Sequence, residues 1–152
     1  EARILTAATV PAPPQAAAAL GVAPGEPVHE VARVRSAGRS PVALERSFFP
    51  ALPGFLGHDL GGSLYALLAD PYDLEPRTAV EHLDPVIAGP REAAELDVAA
   101  GAPLMLIERT AYAARGTPVE YARDLFRPDR VRLSVRSGVT APATRPGRTA
   151  AP

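Results

Sequence analysis

"VAPGEPVHEVARVRSAGRSPVALER", Val22–Arg46, is nearly repeated as "VAAGAPLMLIERTAYAARGTPVEYAR", Val98–Arg123. Both copies open on Val-Ala-x-Gly-x-Pro, continue in a mostly apolar run, and reach Arg33 or Arg109 at the same distance. Each then passes a glycine and a Ser-Pro or Thr-Pro and places a glutamate just beyond, Glu45 or Glu120. The similarity extends upstream, where "PAPPQAAAALG" precedes the first copy and "GPREAAELD" the second. Both read as short helices with proline in the first turn, where the missing N–H has no partner to lose. Gly21 ends the first in the position of a left-handed residue, and Asp97 stands there in the second. The repeated unit is therefore helix, tight turn, strand, turn, strand.

Working outward, Glu1–Val10 reads as a strand, from β-branched and apolar residues in loose alternation. Pro27–Ala37 and Pro41–Phe49 form the arms of a hairpin around "GRS", and Ala102–Ala114 with Thr117–Phe126 form another around "RG". Between the units lie a glycine-rich turn, a short helix "SLYALLAD" and a strand from Glu75 to Ile87. Six or seven strands against three short helices, in consecutive hairpins, predict the α+β class. The expected architecture is an antiparallel sheet with helices on one face, in two similar halves about a pseudo-twofold. Residues 1–136 would form the folded domain. The remaining 137–152, with one bulky apolar residue and many breakers, predict a disordered tail.

The composition narrows the function. The chain has 152 residues, 47% hydrophobic and 22% charged, which suits one globular domain. Its net charge of -1 argues against gripping DNA unaided, because phosphate contacts need a basic excess. The absence of cysteine excludes disulfides and thiolate metal sites and points to a reducing cytoplasm. No apolar run approaches the ~20 residues of a membrane span. His29, His58 and His82 lack ligand spacing, so neither a metal nor a cofactor is expected. The start at Glu1, without methionine, suggests that an upstream part is missing.

Arg33 and Arg35 are two apart and so share one face of a strand. If the hairpin loop is Gly38-Arg39-Ser40, Arg33 faces Glu45 and Arg35 faces Ala43; a two-residue loop would separate them. Paired guanidiniums bind phosphate or carboxylate through planar, bidentate hydrogen bonds. The alternative is an exposed sheet face carrying an ordinary cross-strand ion pair. Ser63, at the start of "SLYALLAD", is either part of an anion site or a plain N-cap. Leu64, Leu67 and Leu68 have the helical spacing of a core face. Glu120 and Tyr121 either face solvent, or one of them reaches a pocket.

Together, "RVRSAGRSPVALERSFFP", "DLGGSLYALL" and "LDVAAGAPLMLIERTAYAARGTPVEYARDLFRPDR" resemble the UTRA domain. This is the effector-binding half of GntR/HutC-type bacterial transcription regulators. The similarity runs from about Arg3 to Leu133. It implies a chorismate-lyase-like fold with a pocket between two related halves. It also implies a homodimer, and an upstream winged helix-turn-helix domain, absent from this chain, that contacts DNA under control of a small metabolite. In members that answer to phosphorylated amino sugars, the residues matching Arg33, Arg35 and Ser63 hold the phosphate. Those matching Glu45, Tyr65 and Glu120 address the sugar. Phe126 stands where such members tend to have tyrosine, so one hydroxyl is lost, and an anionic metabolite remains the expected effector. An enzyme of the chorismate lyase type, sharing the fold and an arginine-plus-glutamate pocket, is the competing expectation. A bare dimerisation domain with a dead pocket is a third.

Overall fold

The computed structural model describes residues 2–136 and 138. The expectation for 137–152 therefore lies outside the described residues, Gly138 apart. Six strands form one antiparallel sheet: β1 (Ala2–Pro11), β2 (Pro27–Ala37), β3 (Ser40–Pro50), β4 (Thr78–Ile87), β5 (Pro103–Tyr112) and β6 (Pro118–Phe126). Three helices accompany them: α1 (Pro14–Leu20), α2 (Leu64–Ala69) and α3 (Pro90–Leu96). The strand order, β1-β2-β3-β6-β5-β4, reads the same from either edge once β1, β2 and β3 are exchanged for β4, β5 and β6. The two copies of the repeat are thus the two halves of the sheet, joined along β3 and β6.

The helices close as the sequence predicts. Gly21 (φ 69°) and Asp97 (φ 52°) both adopt the left-handed conformation after their helices. Val22 and Val98 then fold back, their N–H groups bonding to Ala17 O and Ala93 O. The expectation of helices on one face holds for α1 and α3 and fails for α2. Phe48 and Phe49 are adjacent on β3 and both buried, so they point to opposite faces and both faces need cover. Phe48 packs with Ala16, Ala17, Leu20 and Tyr121 under α1. Phe49 packs with Val31, Phe55, Leu64, Leu68 and Val119 under α2.

The loop in the first hairpin also differs from expectation. Ala37 pairs with Ser40, so the turn is the two residues Gly38-Arg39, with Gly38 at φ 59°. Arg33 nevertheless pairs with Glu45, and Arg35 with Ala43, because the register shifts between Arg35 and Ser36. Val42 is the extra residue of this β-bulge, and it returns the arginines to the register that a shorter loop would have cost them. The second hairpin repeats the device: Ala111 pairs with Glu120 and Tyr112 with Pro118, leaving Val119 extra. In both copies the bulge sits directly after the proline.

Candidate ligand-binding cavity

The face of the sheet under α2 is not filled by apolar side chains throughout. Next to the Phe49 cluster it encloses a cavity of about 400 Å³, lined mainly by polar groups. All seven residues singled out from the sequence line it: Arg33, Arg35, Glu45, Ser63, Tyr65, Glu120 and Phe126. Alternation on β2, β3 and β6 explains the five strand residues among them, and α2 brings Ser63 and Tyr65. Arg33 and Arg35, Glu45 and Ser47, and Glu120, Asp124 and Phe126 each share a face with their strand-mates. Tyr121, between two of these, faces the other way and packs on Phe48 at a ring-centroid distance of 6.2 Å.

The first half contributes a closed pair. Arg33 Nε donates to Glu45 Oε2 at 2.6 Å, and both side chains are about nine-tenths buried. Arg33 Nη1 also donates to the carbonyls of Leu60 and Gly62, each at 2.9 Å. The glycine-rich turn before α2 is thereby tied to the sheet by a side chain from β2. Arg35 is held loosely: its side chain is 57% exposed, and its one charged contact among the described residues, to Glu45 Oε1, is long at 3.4 Å. Ser63 is the N-cap of α2, its Oγ accepting from Ala66 N–H at 3.2 Å while still lining the cavity.

The second half contributes a network. Glu120 accepts from Ser47 Oγ at 2.9 Å, from Tyr65 Oη at 2.7 Å and from Arg109 Nε at 3.3 Å. Arg109 Nη2 reaches Asp124 Oδ2 at 2.9 Å, and its Nη1 reaches Glu81 on β4 at 3.3 Å. The Arg109 guanidinium also lies 5.8 Å from the centre of the Tyr65 ring. Burial works against the charge of Arg109, but Glu120 and Asp124 outweigh it and hold its pKa above the ordinary value. Burial and the neighbouring Glu120 carboxylate raise the Tyr65 hydroxyl, so it stays protonated and donates. Asp124 is pushed up to about 7, chiefly by burial. Arg109 and, least of all, the main-chain N–H of Arg46 oppose the shift, while Glu45 and Glu120 add to it.

Sequence reasoning missed Ser47, Arg109 and Asp124 as cavity residues. The signals were present. Ser47 lies two positions after Glu45 and Asp124 four after Glu120, so each shares its neighbour's face. Arg109 is the counterpart of Arg33 in the second copy. Among the described residues no cluster of three His, Cys, Asp or Glu could hold a metal ion, and no helix is long and apolar enough to cross a membrane.

The chain is an antiparallel α+β domain of two related halves, with a polar cavity under the α-helix inserted between them. The UTRA domain family model matches residues 1–132, and the chain belongs to that family. It is 35% identical over 116 residues to the HTH-type transcriptional repressor NagR of Bacillus subtilis, covering 75% of this chain and 48% of that protein. It is also 35% identical over 118 residues to the repressor PhnF of Mycolicibacterium smegmatis, covering 76% and 48%. The crystal structure of the effector domain of PhnF from Mycobacterium smegmatis superposes with a TM-score of 0.85 at 28% identity, covering 91% of this chain and 86% of that one. The chain thus has the chorismate-lyase-like fold of these regulators and spans about half the length of the relatives it matches.

Proposed function

We propose that this chain is the effector-sensing module of a GntR/HutC-type transcription regulator, not an enzyme, and that its effector is a small anionic metabolite bound in the cavity. The effector would change operator affinity through a DNA-binding domain elsewhere in the whole protein, which acts as a cytoplasmic homodimer. Such coupling requires only that the effector bind one of two dimer conformations better than the other. The observation that carries the reading is Arg35. It lines a polar cavity beside the locked Arg33–Glu45 pair, yet among the described residues it has a single, long ionic contact. A guanidinium so placed is free to take a phosphate or carboxylate. Repressor relatives with the same domain support the regulatory role. The edge strand β4, which leaves Val80, Leu83 and Ile87 exposed, supports association of two copies.

The test is a thermal-shift screen of sugar phosphates, phosphonates and small carboxylates, followed by calorimetry on Arg35→Ala. Loss of this half-exposed cation is expected to cost about 1–3 kcal/mol of binding, the range of a charge-assisted hydrogen bond partly screened by solvent. Arg39→Ala, in the hairpin turn, serves as the control and binds normally. Unchanged affinity in Arg35→Ala, with the fold intact, would sink the anion site.

A further inference from the structure

Two buried side-chain polar atoms among the described residues have no hydrogen-bond partner: Tyr121 Oη and Asp124 Oδ1. Tyr121 lies on the far face of the sheet, but Asp124 is part of the cavity wall. Asp124 is 1% exposed and stands directly opposite Glu45 in the β3–β6 ladder. Two carboxylates so paired repel, and only one of the four oxygens involved, Asp124 Oδ1, goes without a donor. The main-chain N–H of Arg46 is near enough to act on the carboxylate but makes no hydrogen bond to Oδ1. A half-satisfied buried acid is costly to folding, and such groups persist where something outside the fold completes them.

We propose that Asp124 is the specificity-determining acceptor of this cavity, its free Oδ1 taking a hydrogen bond from a hydroxyl or ammonium group of the ligand. This rests on the reading of the cavity as an anion-binding effector site and adds the second recognition point. Asp124 and Arg35 lie on β6 and β2, two strand spacings apart across β3, or about 10 Å at the backbone. A short ligand with an anionic head and a donor tail spans that gap once both side chains lean inward. A small rotation about the soft terminal torsion of Asp124 turns Oδ1 to the ligand. The ionised form of Asp124 is the better acceptor. The charged and titratable groups around it are Glu45 on β3, Arg109 on β5, Glu120 on its own strand, Tyr65 on α2, and Arg33 and Arg35 on β2. Because Asp124 is half-protonated at about pH 7, a donor ligand expels that proton and binds more tightly as pH rises through neutrality.

The test uses three probes with one phosphate head: 3-aminopropyl phosphate, 3-hydroxypropyl phosphate and propyl phosphate. The phosphates of 3-hydroxypropyl and propyl phosphate titrate nearly alike, so the pH dependence is read from the affinity ratio of those two probes. Calorimetry on the wild-type domain near pH 8 is expected to favour the two donor probes over propyl phosphate by about tenfold or more, and near pH 6 by less. Asp124→Leu is expected to erase the preference. The isosteric Asp124→Asn keeps the fold and loses the extra preference for the ammonium over the hydroxyl. If wild type binds all three probes equally, Asp124 reads nothing and the inference falls while the anion site stands. A donor preference that survives in Asp124→Asn unchanged in size and in pH dependence overturns it as well. If no probe binds, the anion-site reading fails and takes this inference with it.

Discussion

The two halves carry an arginine at the same place in the repeat and use it differently. Arg33 is sealed: one carboxylate and two main-chain carbonyls fix it, and it ties the turn before α2 to the sheet. Arg109 divides its donors among Glu120, Asp124 and Glu81, and one oxygen of Asp124 remains empty. The difference comes from the neighbours. The residues matching Ala43 and Ser47 of the first half are Glu120 and Asp124 in the second. The repeat supplies the same scaffold twice, and those two differences turn the arginine of the second half from a clasp on one carboxylate into a cation shared between two buried ones. A satisfied pair fixes shape, whereas an unsatisfied one is available to a ligand.

That contrast is open to direct attack. Arg33→Ala leaves Glu45 buried without its main partner and frees two carbonyls, so a loss of about 3–5 kcal/mol is expected in chemical denaturation. Arg109→Ala is expected to cost about 1–3 kcal/mol, less near pH 6 than near pH 8, because Asp124 can take a proton in place of the lost cation. Equal costs at the two sites, with the same pH profile, would erase the distinction between clasp and pocket.

The second expectation concerns pH alone. Asp124 has a pKa of about 7 in the folded chain against an ordinary 3.8, so the native state holds its proton more tightly than the unfolded one. The stability linked to that proton is complete below the ordinary value and lost as pH rises through about 7. Between about pH 6 and pH 8 the ligand-free domain should lose about 1.4 kcal/mol through this group. Asp124→Asn should flatten that slope, as read from denaturant midpoints across the range.

The smallest effect sharpens the comparison at the turns. The first hairpin uses Gly38 at φ 59°, while the second places Arg115 at φ 60° ahead of Gly116. An arginine in this region is strained and a glycine is not, so Arg115→Gly is expected to stabilise by about 0.5–1 kcal/mol. A loss of stability instead would mean that the Arg115 side chain supports the turn.

Much of this molecule is legible in the repeat. Pro-initiated helices, left-handed closures at Gly21 and Asp97, and strand alternation are local rules, and they suffice to place Arg33 and Arg35 on one face of β2. The capping role of Ser63 follows in the same way from its position ahead of an apolar helix. The bulges were not legible. Val42 and Val119 look like ordinary strand residues, and whether an extra residue is absorbed depends on the neighbouring strand. The placement of α2 was hidden for a similar reason, since adjacent apolar residues such as Phe48 and Phe49 also occur at strand ends that bury only one face.

What the sequence determined by itself, then, was the list of elements, their duplication and the residue types on each strand face. These depend on φ and ψ preferences and on a period of two, which neighbouring residues settle between themselves. The tertiary structure decided which faces meet. Only the joining of β3 to β6 sets Glu45 against Asp124, and only α2 folding over that seam brings Tyr65 to Glu120 and closes the cavity. Burial of a carboxylate, and the proton it then holds, belong to that assembly, because desolvation and charge repulsion act between groups far apart in the chain.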